Sequence, residues 1–189
     1  NTRNYTEDTL KKAVSVIEEM ITRDKNHPCV IMWSLANEPN VESDEGEEFF
    51  KVMAETARSL DSTRPITYVG YLEPKFNRGM KYFDIICINK YYGWYDYPGQ
   101  IEESLSEFIA CADRFYDTFK KGIILTEFGA DAIAGIHTNP PQMFSEEYQS
   151  KMIEEQYKLF SKQPYAAGTH VWAFADFKTA QTISRIVFN

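Results

Sequence analysis

Two glutamates in this sequence stand where packing alone gives a poor account of an ionisable side chain. Glu38 follows the apolar run Val30 to Ala36 and Asn37, and Glu127 directly follows Gly122 to Thr126. A carboxylate next to a buried apolar strand is costly unless a site uses it. Two such groups on one rim suit a hydrolase in which one carboxyl protonates a leaving oxygen and the other attacks carbon. That chemistry asks for a separation of about 5–5.5 Å and for environments that split the two pKa values. The competing reading is plain: a single Glu at a strand end is often a helix N-cap neighbour or a solvated loop charge. The sequence holds 28 acidic residues, so one glutamate alone decides nothing, and it is the pair with its neighbours that carries weight.

The elements that must position the pair follow from periodicity. Leu10, Ala13, Val14, Ile17 and Ile21 recur at helical spacing over 6–24, with Glu7 and Asp8 in the first turn. Val30 to Ala36 reads as a strand buried on both faces. Phe49, Met53, Ala57 and Leu60 make a second helix, and Ile66 to Gly70 a second strand. Asp84 to Asn89 is a third strand, and Ile101 to Phe119 a long helix. Gly122 to Thr126 is a fourth strand. The loop from Glu127 to Phe144 is too long for a mere connector. Ser145 caps a last helix, and Gly168 to Phe174 reads as a fifth strand.

Strands alternating with helices predict parallel βαβ units in an α/β domain. Short apolar strands throughout fit the inner wall of a (β/α)8 TIM barrel, whose active site lies at the C-terminal strand ends. Those ends carry Asn37-Glu38-Pro39, Asn89 to Tyr95, Glu127-Phe128-Gly129 and Trp172 to Asp176. Five strands do not close an eight-stranded barrel. The expectation is therefore an incomplete barrel, one catalytic domain over 1–189 whose earlier strands lie upstream.

Bulk properties narrow the partners. The net charge of −8 argues against a nucleic-acid or anionic-membrane surface, and no apolar run is long enough to span a bilayer. Cys29, Cys87 and Cys111 lack metal-ligand spacing and read as buried free thiols. No phosphate loop, zinc or nucleotide signature is present, and no metal or other cofactor is expected. Asn4-Tyr5-Thr6 fits the glycosylation acceptor pattern, a short motif that often occurs by chance. The compartment stays open, with a soluble cytoplasmic protein ahead of a periplasmic, secreted or lysosomal one.

The segments NHPCVIMWSLANEP (26–39) and ILTEFGADAIAGIH (124–137) resemble the acid/base and nucleophile segments of glycoside hydrolase family 2. Asn89 to Tyr95, MFSEEYQ (143–149) and VWAFADFKTAQTISR (171–185) are similar to the β-glucuronidase branch of that family. The resemblance covers essentially the whole chain. It implies that the five strands are the fourth to the eighth of the barrel. It implies Glu38 as acid/base, Glu127 as nucleophile and Asn37 as partner of the sugar 2-hydroxyl. Tyr91 and Tyr95 would line the sugar subsite, Trp172 would form its floor, and Arg185 and Asn189 would face the sugar carboxylate. Arg, with its planar fork, suits that anion. The family's reader is an Asn-any-Lys motif, and Asn189 is the last residue here, so its Lys is not in the chain.

The resemblance thus implies retaining hydrolysis of a β-D-glucuronide, either a small glucuronide conjugate or a glucuronate-containing saccharide, by a homo-oligomeric full-length protein. The alternatives are a β-galactosidase or β-mannosidase of the same family and a catalytically inactive carbohydrate-binding fragment. An open half-barrel exposes parallel edges and an apolar face, so the isolated chain is expected to be weak or inactive. Tyr92 and Trp94 read as packing, His137 as a solvated loop side chain, and Asp131 and Asp176 as structural hydrogen-bonders.

Overall fold

A computed structural model describes residues 5–183 and 185. Helix α1 spans Glu7–Asp24, β1 Trp33–Asn37, α2 Asp44–Leu60 and β2 Ile66–Gly70. Two short 3-10 turns, Pro74–Phe76 and Arg78–Tyr82, lead to β3 at Ile86–Asn89. Then come α3 (Ile101–Phe119), β4 (Ile123–Glu127), α4 (Glu146–Phe160) and β5 (Ala166–Thr169). The strands form one parallel sheet in chain order, β1-β2-β3-β4-β5, with Trp33 opposite Ile66 and Ile123 opposite Ala166. This is the alternating α/β pattern that the sequence predicts.

The chain divides into two compact units. One comprises the residues up to Cys87 with Phe115–Gly122, and the other Ile88–Arg114 with the residues from Ile123 onward. In the first unit α1 starts where Thr6 and Thr9 satisfy each other's backbone N–H groups in a capping box. The Ser43 hydroxyl accepts from the Gly46 N–H and starts α2 at Asp44, five residues ahead of Phe49, where the stripe read from sequence begins. Gly46 is needed there, because a Cβ would lie 2.9 Å from the Tyr5 ring and 3.2 Å from the Val41 backbone. Of the stripe read from sequence, Met53 and Ala57 are buried while Phe49 and Leu60 are half-buried, and Phe50 is the buried ring beside them. Phe50 stacks 4.6 Å from Tyr68 on β2, which in turn meets Phe83 at 5.0 Å. Full burial of a ring of this size stabilises by about 1.5–3 kcal/mol.

In the second unit Trp94, Ile101, Ala130, Tyr148 and Met152 form one buried cluster. Trp94 and Tyr92 are packing residues there, at 2% and 7% exposure.

The strand ends differ from the sequence reading. β1 begins at Trp33 rather than Val30, and only Trp33 of the strand is buried. It lies at one end of the strand order with a single neighbour, and its ladder starts where β2 starts; the Trp33 N–H bonds to the Pro65 carbonyl at 3.0 Å. Ile31 is left exposed, and the Val30 carbonyl accepts from Arg64 Nε instead. β5, at the other end, stops at Thr169 rather than Phe174, and Phe174 is fully exposed. Cys87 and Cys111 are buried free thiols, but Cys29, in the turn before β1, is exposed.

Candidate active site

The first unit places Asn37 and Glu38 through β2. Asn37 pairs with Val69 across a register shift that follows Ser34, and the Glu38 N–H donates to the Val69 carbonyl at 2.8 Å. The irregularity leaves Glu38 with φ +50°. A non-glycine residue in that region gives up on the order of 1–2 kcal/mol, and the bond to Val69 together with the following Pro39 holds it there. The Glu38 side chain is solvent-exposed at the strand end.

The second unit places the rest. Glu127 ends β4 and is half-buried. Its carbonyl accepts from the Lys90 N–H at 2.9 Å, and Thr126 Oγ1 donates to Asn89 Oδ1 at 2.8 Å, so the ends of β3 and β4 are tied at backbone and side chain. The Tyr91 hydroxyl donates to Glu127 Oε2 at 2.7 Å. Tyr91 and Tyr95 meet edge to face at 5.2 Å. Arg185 Nε donates to the Tyr95 hydroxyl at 2.9 Å, and its guanidinium carbon lies 5.9 Å from the Tyr95 ring centroid. A continuous contact chain thus runs Glu127–Tyr91–Tyr95–Arg185.

Trp172 reaches the same loop through its backbone, its N–H donating to the Phe128 carbonyl at 2.9 Å. Gly129 has φ +148°, and a Cβ there would sit 2.8 Å from the Trp172 carbonyl oxygen, so only glycine admits this approach. The Trp172 ring is 46% exposed and packs edge to face on Phe177 at 5.7 Å. Asn189 lies outside the described residues. So does Asn4 of the glycosylation pattern.

His137 is exposed, as the sequence reading has it, and it is also paired. Its Nδ1 lies 2.7 Å from Glu147 Oε1, and Nε2 lies 3.8 Å from Glu146 Oε2. Both carboxylates sit in the first turn of α4, and the long loop folds back onto them. The hydrogen bond to Glu147, then its charge and that of Glu146, raise the His137 pKa. An open hollow of about 660 Å³ along α4, edged by Glu146, Glu147, Glu154 and Asp176, contains none of the Glu127–Arg185 chain. Among the described residues no group of three or more His, Cys, Asp or Glu is placed to hold a metal ion, and no helix is long and apolar enough to cross a membrane. Sequence reasoning also missed Tyr148, Gln149 and Gln156 on α4, whose side chains donate to the carbonyls of Gly93, Ala130 and Tyr92.

Short parallel strands alternating with helices define an α/β barrel-type domain, a class whose active sites lie at the C-terminal strand ends. The whole chain, residues 1–189, matches the family described as glycosyl hydrolases family 2, TIM barrel domain, and it belongs to that family. A β-glucuronidase of Paenibacillus borealis is 46% identical over 180 residues, which are 95% of this chain and 30% of that protein. The structure of a β-D-glucuronidase from Dictyoglomus thermophilum superposes with a TM-score of 0.92 at 43% identity, covering 98% of this chain and 33% of that one. A Ruminococcus gnavus β-glucuronidase in complex with D-glucuronic acid has a TM-score of 0.88 at 40% identity, covering 96% and 32%. The chain thus spans about 30% of the length of its curated relatives.

Proposed function

We propose that this chain is the catalytic part of a retaining β-glucuronidase, one barrel domain over 1–189 whose five strands are the fourth to the eighth of the barrel. Glu127 attacks the anomeric carbon while Glu38 gives its proton to the departing aglycone oxygen. The bond to the aglycone breaks as the glycosyl-Glu127 ester forms. Glu38, now a carboxylate, takes a proton from water. The water oxygen then displaces Glu127 and releases glucuronate with its original anomeric configuration.

The observation that carries this reading is the Tyr91 hydroxyl on Glu127 Oε2 at 2.7 Å. A neutral donor fixes the carboxylate's orientation, as an attacking group requires. Arg185, at the far end of the same contact chain, supplies a fixed cation for the C6 carboxylate of a glucuronide. Asn37 bonds the 2-hydroxyl, Tyr91, Tyr95 and Trp172 line the sugar subsite, and Asn189 assists Arg185. The relatives' printed names and the D-glucuronic acid complex support this substrate class.

The test is a substrate panel on the full-length protein and its Glu127→Gln variant, setting nitrophenyl β-D-glucuronide beside the β-D-galactoside and β-D-mannoside. Turnover of the glucuronide alone, lost in the variant, is expected. Preference for a neutral glycoside would remove the carboxylate-reading role of Arg185.

A further inference from the structure

Resting on the proposed roles of Glu127 and Tyr91, we propose that Ser145 to Gln149, the cap and first turn of α4, is a clamp. It fixes the loop carrying Tyr91 against the loop carrying Glu127, with Tyr148 and Gln149 as its positioning residues. Every side chain of this five-residue run is committed to loop backbone or to the cap. Ser145 Oγ accepts from the Tyr148 N–H at 3.2 Å and donates to the Gln142 carbonyl at 2.7 Å. Glu146 Oε1 accepts from the Gly135 N–H at 2.7 Å, and Glu147 Oε2 accepts from the Thr138 N–H at 3.1 Å. Gln149 Nε2 donates to the Ala130 carbonyl at 2.7 Å, three residues past Glu127. The Tyr148 hydroxyl donates to the Gly93 carbonyl, two residues past Tyr91. Farther along the helix, Gln156 Nε2 donates to the Tyr92 carbonyl.

Gly93 and Ala130 are thereby tethered to adjacent residues of one helical turn. The spacing of their two loops is set by helix geometry rather than by loop conformation. Tyr148 is 1% exposed and packs in the cluster with Trp94, Ile101, Ala130 and Met152, so its ring cannot follow a loop that moves. Burial pushes its phenol pKa up, which keeps the hydroxyl a donor across the working pH range. The Tyr91–Glu127 bond spans the two tethered loops. Hydrogen bonds weaken steeply with distance and angle, and a displacement of about 1 Å at a reacting group can cost roughly a hundredfold in rate.

The test compares Tyr148→Phe and Gln149→Leu in the full-length protein, with pH–rate profiles on nitrophenyl β-D-glucuronide and active-site titration. The Gly93 carbonyl still accepts from the Gly99 N–H at 3.3 Å, so Tyr148→Phe does not strand it. The second variant addresses the clamp if the first folds poorly. The clamp predicts, in each variant, kcat per titrated site at least about tenfold lower, KM nearly unchanged, and the acidic limb displaced to higher pH as the nucleophile's donor loosens. A purely structural role lowers thermal stability and the active fraction but leaves that limb in place. Parent-like kcat and limb in both variants, beside an inactive Glu127→Gln, would overturn the clamp alone. Retained turnover in Glu127→Gln would overturn the proposed function and the clamp with it.

Discussion

The Tyr91 hydroxyl and Glu127 Oε2 lie 2.7 Å apart, joining the loop after β3 to the end of β4. Tyr91→Phe keeps the ring and its edge-to-face contact with Tyr95 and removes only the donor. The expected result is a kcat lower by about ten- to a hundredfold, on the free-energy scale of one hydrogen bond to a charged group. Thermal stability should change little. Steady-state kinetics beside a thermal melt checks both halves, and an unaltered kcat would detach Tyr91 from the chemistry.

Arg185 both donates to the Tyr95 hydroxyl and lies against its ring. Lysine preserves the charge but loses the planar fork and the stacking. Arg185→Lys should therefore lower kcat/KM on a glucuronide by about tenfold or more, the free-energy scale of one charge-assisted bond, while leaving any residual galactoside turnover unchanged. Equal losses on both substrates would mean that Arg185 supports the fold rather than reading a carboxylate.

Asp61 collects the Thr63 hydroxyl at 2.6 Å, the Thr63 N–H at 2.9 Å, Arg64 at 2.7 Å and the Trp33 indole at 3.0 Å. These donors, led by the Thr63 hydroxyl and Arg64, hold its carboxyl far below the usual carboxylate range. A depressed folded pKa contributes stability that is present above the unfolded pKa, about 3.9, and lost as pH falls below it. Asp61→Asn should lower the melting temperature at pH 7 and flatten its decline between about pH 4 and pH 2. Melts across that range decide the matter, and parallel curves for parent and variant would contradict it.

The His137–Glu147 contact makes the long loop after β4 sensitive to pH. Its hydrogen-bonded carboxylate partner raises the His137 pKa, so the attachment is complete below the unfolded value of about 6.5 and is lost as pH rises through the folded value. Limited proteolysis between 129 and 144 should quicken from pH 6 to pH 8.5 in the parent and show no such step in His137→Gln. A cleavage rate that follows only the protease's own pH dependence in both proteins would remove the latch.

The helices were legible because their signals are local. Met53 and Ala57 of the α2 stripe and the Ser145 cap are each written within a few residues and appear as expected, whereas Phe50 rather than Phe49 is the buried ring. The outer strands were over-read, since an apolar run says nothing about where its one neighbour ends: Val30 and Ile31 precede the start of β2, and residues 170–174 lie past the end of β5. The pairing of His137 was not legible because its carboxylates lie nine and ten residues on and come near only when the loop folds back. Tyr148 and Gln149 were missed for a different reason. Their partners are backbone carbonyls, which leave no mark in the sequence.

In the proposed mechanism Glu127 becomes covalently bonded to the sugar. Incubating the full-length protein with a 2-deoxy-2-fluoro-β-D-glucuronyl fluoride slows release of the glycosyl-enzyme relative to its formation. Intact-mass and peptide mass spectrometry should then show one added 2-fluoroglucuronyl group, mapped to the peptide containing Glu127 and absent from Glu127→Gln. A label on another carboxylate, or clean inversion of configuration with no label at all, would contradict the account.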